Sequence, residues 1–410
     1  MTNSEAYRMY KLLLATLATL SLLMGVQMTL MTRSFMAQGH YDFLIFYTGA
    51  EIVNLGKGQD LYDLKVQQAH QERFKLPNKP WSVLPFNHAP YELLPFLPLA
   101  KLSFQPAHLV WSIVSVIFLI ISYVTLLRLT ERPHRMLLGA LMLSFYPTWI
   151  TIKMGQDSAM SLLILVGVFA SLKYGRDVAA GGILALGLYK PQLVLPLAGI
   201  LLMSRNWPSL IGFAATATAL AAISLGMVGW QGILSLFSII SEMDHPTTIV
   251  YPAHMANLRG WFFPLLSLFR SPELTNILTA IVSLIVYCYS VIVCWKNKAS
   301  RDHPLFDLHF SLAVVATLLI SFHLYPHDVI VLLIPIVLTF NYVLAQQPRL
   351  TMPHNVFLFV LTLLYLPFLP ILLEHTGSFG SLVAPILLLY GVLIFEIGSW
   401  RSSNRRTILT

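Results

Sequence analysis

Five separated stretches of this 410-residue chain set polar side chains beside long apolar runs. His40-Tyr41-Asp42-Phe43 puts a carboxylate just past the first such run. A charge at that depth is costly to hold, so an ionisable residue there is a functional candidate. Within hydrogen-bond reach of a hydroxyl, a carboxylate takes its proton, so Asp42 is a candidate general base. Lys190-Pro191-Gln192 interrupts a second apolar run, and Asn257-Leu258-Arg259-Gly260 follows a third. Cations so placed can hold a phosphate, and Gly260 would let backbone approach it. His323-Leu324-Tyr325-Pro326-His327-Asp328 sets four polar side chains between two further apolar runs. These side chains suit hydrogen bonding to a sugar or a phosphate. Gly155-Gln156-Asp157 makes the fifth stretch, and His88, Gln156 and Asn257 are further candidate substrate contacts.

Each candidate also has a plainer reading. Asp42 could cap the helix that follows it. Lys190 could extend its ammonium to a membrane surface. Arg259 could be an ordinary loop cation. His323, His327 and Asp328 could share a divalent metal, but with His327 and Asp328 adjacent the three are not well spaced for one. No metal or other cofactor is expected.

The elements that position these groups follow from composition. Apolar residues make up 56% and charged residues 11%, against about 25% charged in soluble domains. Mean hydropathy is +0.70. Runs such as Leu12 to Leu30 and Ile277 to Val293 reach the roughly 20 residues of a bilayer crossing. A polytopic all-α membrane protein is expected. The +8 charge therefore reports orientation rather than a nucleic-acid partner. Cys288 and Cys294 read as structural thiols. The first apolar run is longer than a signal-peptide core and reads as a retained span.

Arg8 and Lys11 precede span one, 11–31, and place the N-terminus in the cytoplasm. Residues 32–106 form a first outer loop, with surface helices from Phe43 to Gly56 and over 63–74. The Pro-broken segment 89–104 reads as re-entrant or interfacial. Spans follow at 107–128, 136–150 and 158–172, then a hairpin of two short helices over 178–203 with Lys190 at its outer tip. Span seven, 208–228, leads to a second large outer loop, 229–274. The last five are 275–295, 305–322, 327–346, 354–372 and 379–398. Twelve spans with both termini cytoplasmic leave only Lys153, Lys190, Arg259 and Arg270 as outer cations beyond the first loop. All the candidate residues then share one face. The chain reads as one integral domain, with no repeat and no Gly-rich nucleotide loop.

These motifs, in order from Asp42 to Asp328, resemble glycosyltransferase family 87. The similarity runs through Asp42-Phe43 with its aromatic-rich helix, Gly58, Leu61-Tyr62-Asp63, Pro90 to Pro98 and Gly155-Gln156. It continues through Gly181-Gly182 to Gln192, Asn257 to Gly260 and His323 to Asp328, covering roughly residues 40 to 335. The resemblance implies a C-type glycosyltransferase bundle in the cell membrane, with its active site outside. It implies a polyprenyl-phosphate sugar donor, usually mannose, and a lipid or glycan acceptor. The family's catalytic Asp falls on Asp42, its phosphate-binding cations on Lys190 and Arg259, and its His motif on His323 and His327. Two positions depart from the pattern: His88-Ala89-Pro90, and Asp157 where Asn commonly follows the Gln. Transport of a lipid-linked sugar, and ligation of a whole lipid-linked glycan, are the competing expectations.

Overall fold

The computed structural model describes residues 3–36, 42–74, 83–130, 135–243, 252–267, 272–296, 299–345, 351–366 and 369–409. Among them the regular structure is helical, with no strand. The long helix α4 (Phe104–Arg128) shows why this is a membrane-embedded chain. Trp111, Ser115, Leu119, Ser122 and Leu126 are buried at helical spacing. Leu109, Ile113, Ile117 and Ile120 stand exposed on the other side. An apolar stripe of that length is a liability in water and the expected surface in lipid. The helix α12 (Pro272–Lys296) repeats the pattern with Ile277, Ile281, Leu284 and Ile285 exposed. At the centre, α13 (Pro304–Ile320) and α14 (Leu333–Ala345) are buried on nearly every side, as helices apolar all round should be.

Among the described residues, four helices are by themselves long and apolar enough to cross a membrane: Phe104–Arg128, Trp207–Ser241, Glu273–Trp295 and Phe379–Ser399. The expected segment 136–150 is two helices, α5 (Arg135–Ser144) and α6 (Tyr146–Met154), bent by 45°. Taken as one span they make five. The extended backbone of Phe145 and Pro147 in the first turn of α6 produce the bend. Others among the expected spans are shorter apolar helices, including α7 (Ser158–Lys173), α8 (Asp177–Leu186), α9 (Pro191–Met203) and α15 (Met352–Leu364).

Two loop expectations change. Helix α10 (Trp207–Met243) runs well past residue 228, through a kink at Gly229 with φ 67°. That left-handed backbone suits glycine. Gly58 of the first loop seats against the Met227 carbonyl beside the kink, where no side chain fits. The helix α2 (Phe43–Asn54), expected on the membrane surface, is instead mostly enclosed. Its Phe46 stacks on Phe96 with centroids 4.7 Å apart, and Phe96 meets Trp111 at 4.2 Å. Such aromatic pairs contribute about 0.5–1.5 kcal/mol each beyond their area. As expected, the Pro-rich stretch makes no span, only short turns at Pro90–Leu93 and Leu99–Lys101.

The first loop is tied by side chains that imitate backbone. Asp63 caps α3 (Leu64–Gln71) by accepting from the Lys65 N–H at 2.8 Å. Gln67 accepts from the Phe86 N–H at 2.7 Å and donates to the Leu61 carbonyl at 2.8 Å. Gln71 both donates to the Leu84 carbonyl at 2.8 Å and accepts from its N–H at 2.9 Å. These amides hold residues 84–86 against α3 and so fix where His88 emerges.

Candidate active site

Asp42 occupies the N-cap position of α2, yet its side chain makes no capping bond. The carboxylate turns away and accepts a 2.6 Å hydrogen bond from Gln156 Nε2. Gly155 makes that meeting possible. It ends α6 at φ 64°, and a Cβ there would lie 2.7 Å from Phe43 Cβ. Its carbonyl accepts from Trp111 Nε1 at 2.9 Å, which locks the turn to α4. Glycine at the helix end thus lets α6 press against the start of α2. Gln156 is delivered directly to Asp42.

The next residue begins a buried ionic knot. Lys190, expected at an outer tip, is 4% exposed. Its ammonium lies 2.5 Å from Asp157 Oδ1 and 2.6 Å from Asp328 Oδ1. The Asp157 contact is an ion pair by distance, but its direction misses a hydrogen bond. Ser158 Oγ donates to Asp328 Oδ1 at 2.8 Å and accepts from Lys190 at 3.1 Å. His327 Nε2 stands 3.5 Å from Asp328 Oδ2. Two carboxylates already claim Lys190, so its charge acts on the site through them. Asp42, half-buried, has no cation paired to it among the described residues.

A third group forms where the helix α11 (Leu258–Ser267) begins beside the turn after α13. Asn257 is fully buried, and both ends of its amide are engaged. It donates to the Ser321 carbonyl at 2.7 Å and accepts from the Gly260 N–H at 2.9 Å. Asn257 therefore positions Arg259, and Gly260 packs on the Met255 carbonyl rather than facing open space. The Arg259 guanidinium lies 3.9 Å over the Phe322 ring. His323 is half-buried with its ring edge-on to Phe322, and its carbonyl accepts from Gln192 at 3.4 Å. Tyr325 joins these groups to the base. Burial pushes its hydroxyl up to about 12, the Asp42 and Asp328 charges push the same way, and Arg259 opposes them. Tyr325 therefore sits within electrostatic reach of Asp42 and Arg259 together.

The fourth wing is the His88–Glu92 pair. His88 Nδ1 meets Glu92 Oε2 at 2.7 Å, while Tyr62 donates to the His88 carbonyl at 2.7 Å. Glu92 is 1% exposed. Burial pushes its carboxyl up to about 8, with Asp157 adding to the rise and His88 opposing it. A carboxyl held protonated near neutrality is what burial beside another carboxylate should produce.

The structure thus brings Asp42, Gln156 and Tyr325 together, and Lys190, His327 and Asp328 together beside them. Arg259, His323 and Asn257 gather where the start of α11 meets the turn after α13, and His88 lies within electrostatic reach of Asp157. Glu92 and Ser158 were not among the expected contacts, and Asp157 was singled out only where it departs from the family's usual Asn. Glu92 was legible as an ionisable residue inside the Pro90 to Pro98 apolar stretch. Among the described residues, no three His, Cys, Asp or Glu side chains stand close enough to share a metal ion.

No curated protein and no solved structure matches the chain. The model of glycosyltransferase family 87 matches residues 86–321. That stretch contains His88, Glu92, Gln156, Lys190 and Arg259, and leaves Asp42 and the turn from His323 to Asp328 outside it. It covers more than half of the chain, which belongs to glycosyltransferase family 87.

Proposed function

We propose that this glycosyltransferase moves a sugar, mannose, from a polyprenyl-phosphate carrier to a lipid or glycan acceptor at the outer face of the cell membrane. In this reading the shorter helices pair into further crossings of a C-type bundle with about twelve spans. Asp42 takes the proton of the acceptor hydroxyl, and that oxygen attacks the anomeric carbon. The bond from that carbon to the phosphate oxygen breaks as the new bond forms. Polyprenyl phosphate leaves with the electron pair, and one displacement inverts the anomeric centre. Arg259 bears the growing phosphate charge, with His323 and His327 hydrogen-bonding to it. Lys190 keeps Asp157 and Asp328 in place behind them. Tyr325, Asp328 and His88 line the sugar, while Gln156 orients Asp42. Family membership favours transfer over transport of a lipid-linked sugar.

One observation carries the reading. The Asp42 carboxylate stands at a helix start, leaves the cap unmade, and is held instead by Gln156 from 114 residues away. Asp157 and Asp328 are tied to Lys190, which leaves Asp42 as the available base. Purified protein should transfer mannose from polyprenyl-phosphate mannose. Asp42→Asn should lower the rate by about 10²–10⁴, the usual worth of a general base, with the fold retained. Near-wild-type turnover would reject the assignment. Arg259→Ala should raise the donor KM by about 10-fold or more, the loss of a charged hydrogen bond, with little change for the acceptor.

A further inference from the structure

A cavity opens far from Asp42. Helices α7, α9 and α13 each have one end at the Lys190 knot: Ser158 begins α7, Pro191 begins α9, and Ser321 follows α13. The cavity lies between their other ends. Its wall on α7, Val168 and Leu172, lies 10 and 14 residues past Ser158, which puts it about 15–21 Å from the knot at 1.5 Å per residue. Its volume is about 400 Å³, within the usual range of ligand pockets. Leu172, Leu184, Leu197, Ile200, Phe306 and Phe310 give it an apolar wall.

The rim is polar and positive. Arg301 Nη2 meets Asp177 Oδ2 at 2.7 Å, and Asn206 Nδ2 donates to Asp177 Oδ1 at 3.3 Å. Arg205 is a second rim cation. It is exposed, and its guanidinium has no partner among the described residues. The rim therefore carries two guanidinium groups against one carboxylate. Nearby Lys173 is already matched by Asp307 at 2.5 Å.

Arg205 is also the one non-glycine residue at positive φ, 55°, among the described residues. It follows α9, where the Arg205 N–H bonds the Leu202 carbonyl and the Asn206 N–H bonds the Leu201 carbonyl. Glycine is the usual occupant of such a helix end, because a side chain there is strained. Strain of this kind persists where a side chain serves a purpose. Here it sets an exposed guanidinium at the mouth of an apolar chamber.

We propose that this cavity binds an anionic phospholipid. One acyl chain lies against the leucine and phenylalanine wall, and the phosphate rests on Arg205 and Arg301. Arg301 can hold Asp177 and still donate, because a guanidinium has several N–H groups. A membrane-embedded chain meets its ligands for an apolar chamber in the bilayer, and the surplus positive charge selects those with anionic heads. The site is separated from the transfer site by most of the length of α7.

The full-length protein in neutral detergent provides the test. Its thermal unfolding is followed with phosphatidylglycerol, phosphatidylcholine or inorganic phosphate at matched concentrations. Phosphatidylglycerol should raise the melting temperature, phosphatidylcholine should give less than half that shift, and phosphate none. Arg205→Gly should melt at or above the wild-type temperature without lipid, because it relieves the strain. The same variant should bind phosphatidylglycerol about 10-fold more weakly, for one lost charged hydrogen bond. Ala299→Phe, which intrudes on the cavity beside Arg301, should abolish the lipid shift. Equal shifts from the two lipids, an equal shift from phosphate, or unchanged lipid affinity in Arg205→Gly would overturn the proposal. Sugar transfer is not read, so the outcome is independent of the role of Asp42.

Discussion

Gln156→Ala removes the donor that holds Asp42 and little else. The bond is 2.6 Å long and joins an amide N–H to a carboxylate. A hydrogen bond to a charged group contributes about 1.5–3 kcal/mol. At 1.36 kcal/mol per decade, its full loss lowers kcat/KM about 10- to 100-fold. Gln156 acts as a positioning residue through Asp42, so kcat should fall while the donor KM changes little. Initial rates of transfer from polyprenyl-phosphate mannose, measured against donor concentration, separate the two. The decisive arm is the double variant. If Gln156 works through Asp42, Gln156→Ala should slow an Asp42→Asn background no further. A loss below about 2-fold in the single variant, well short of the charged-bond value, would refute the positioning role. So would an undiminished loss in the Asp42→Asn background.

Three other substitutions probe the supports of the site. Gly155→Ala forces a Cβ to 2.7 Å from Phe43 Cβ at φ 64°. Left-handed strain alone costs about 1–2 kcal/mol, so the melting temperature should drop, and transfer should fall even where the variant is folded. Lys190→Ala leaves Asp157 and Asp328 buried without their cation, which typically costs about 3–5 kcal/mol. Its folded yield and melting temperature should fall far below those of Arg259→Ala, and equal stability would show that the knot is not structural. Glu92→Gln tests the carboxyl raised from 4.5 to about 8. Because the folded value is the higher one, the stability from the neutral carboxyl is whole below about pH 4.5 and is lost as pH rises through about 8. Wild-type stability should therefore decline across that window. The glutamine variant should lack this decline, while His88, Asp157 and Lys190 still face the position.

The sequence showed where helices must lie and which polar residues interrupt them, because both are written in local patterns. Asp63 as a cap and the broken Pro90 to Pro98 stretch could be read directly from residue type and spacing. The bend near Phe145 and the continuation of α10 through Gly229 could not. Both depend on how a single backbone position is supported by neighbours distant in sequence. The same limit applies within the site. Lys190 and Arg259 look alike as cations in cation-poor segments. Only packing reveals that Asp157 and Asp328 hold the first, while Asn257 and Phe322 orient the second. Asn257 shows a further confusion: a polar residue beside a functional cation can serve the backbone entirely. The enclosure of α2 was hidden because its aromatic face looks the same whether it meets lipid or Phe96 and Trp111.

The Lys190 knot also has a consequence for biosynthesis. Asp157 and Lys190 are 33 residues apart, but Asp328 follows Lys190 by 138. At roughly 5–20 residues per second, ribosomal synthesis separates the two carboxylates' meetings with Lys190 by on the order of ten seconds. During that delay Asp157 and Lys190 have each other, so the α7–α9 unit can enter the membrane with its central charges balanced. The later arrival of Asp328 adds the negative charge and completes the Ser158 bonds. Release of a chain truncated before Ser321 would leave Gln156 beside Asp42 but supply neither Tyr325 nor Asp328. Maturation of the site is therefore gated by the emergence of α13 and the turn that follows it, late in translation.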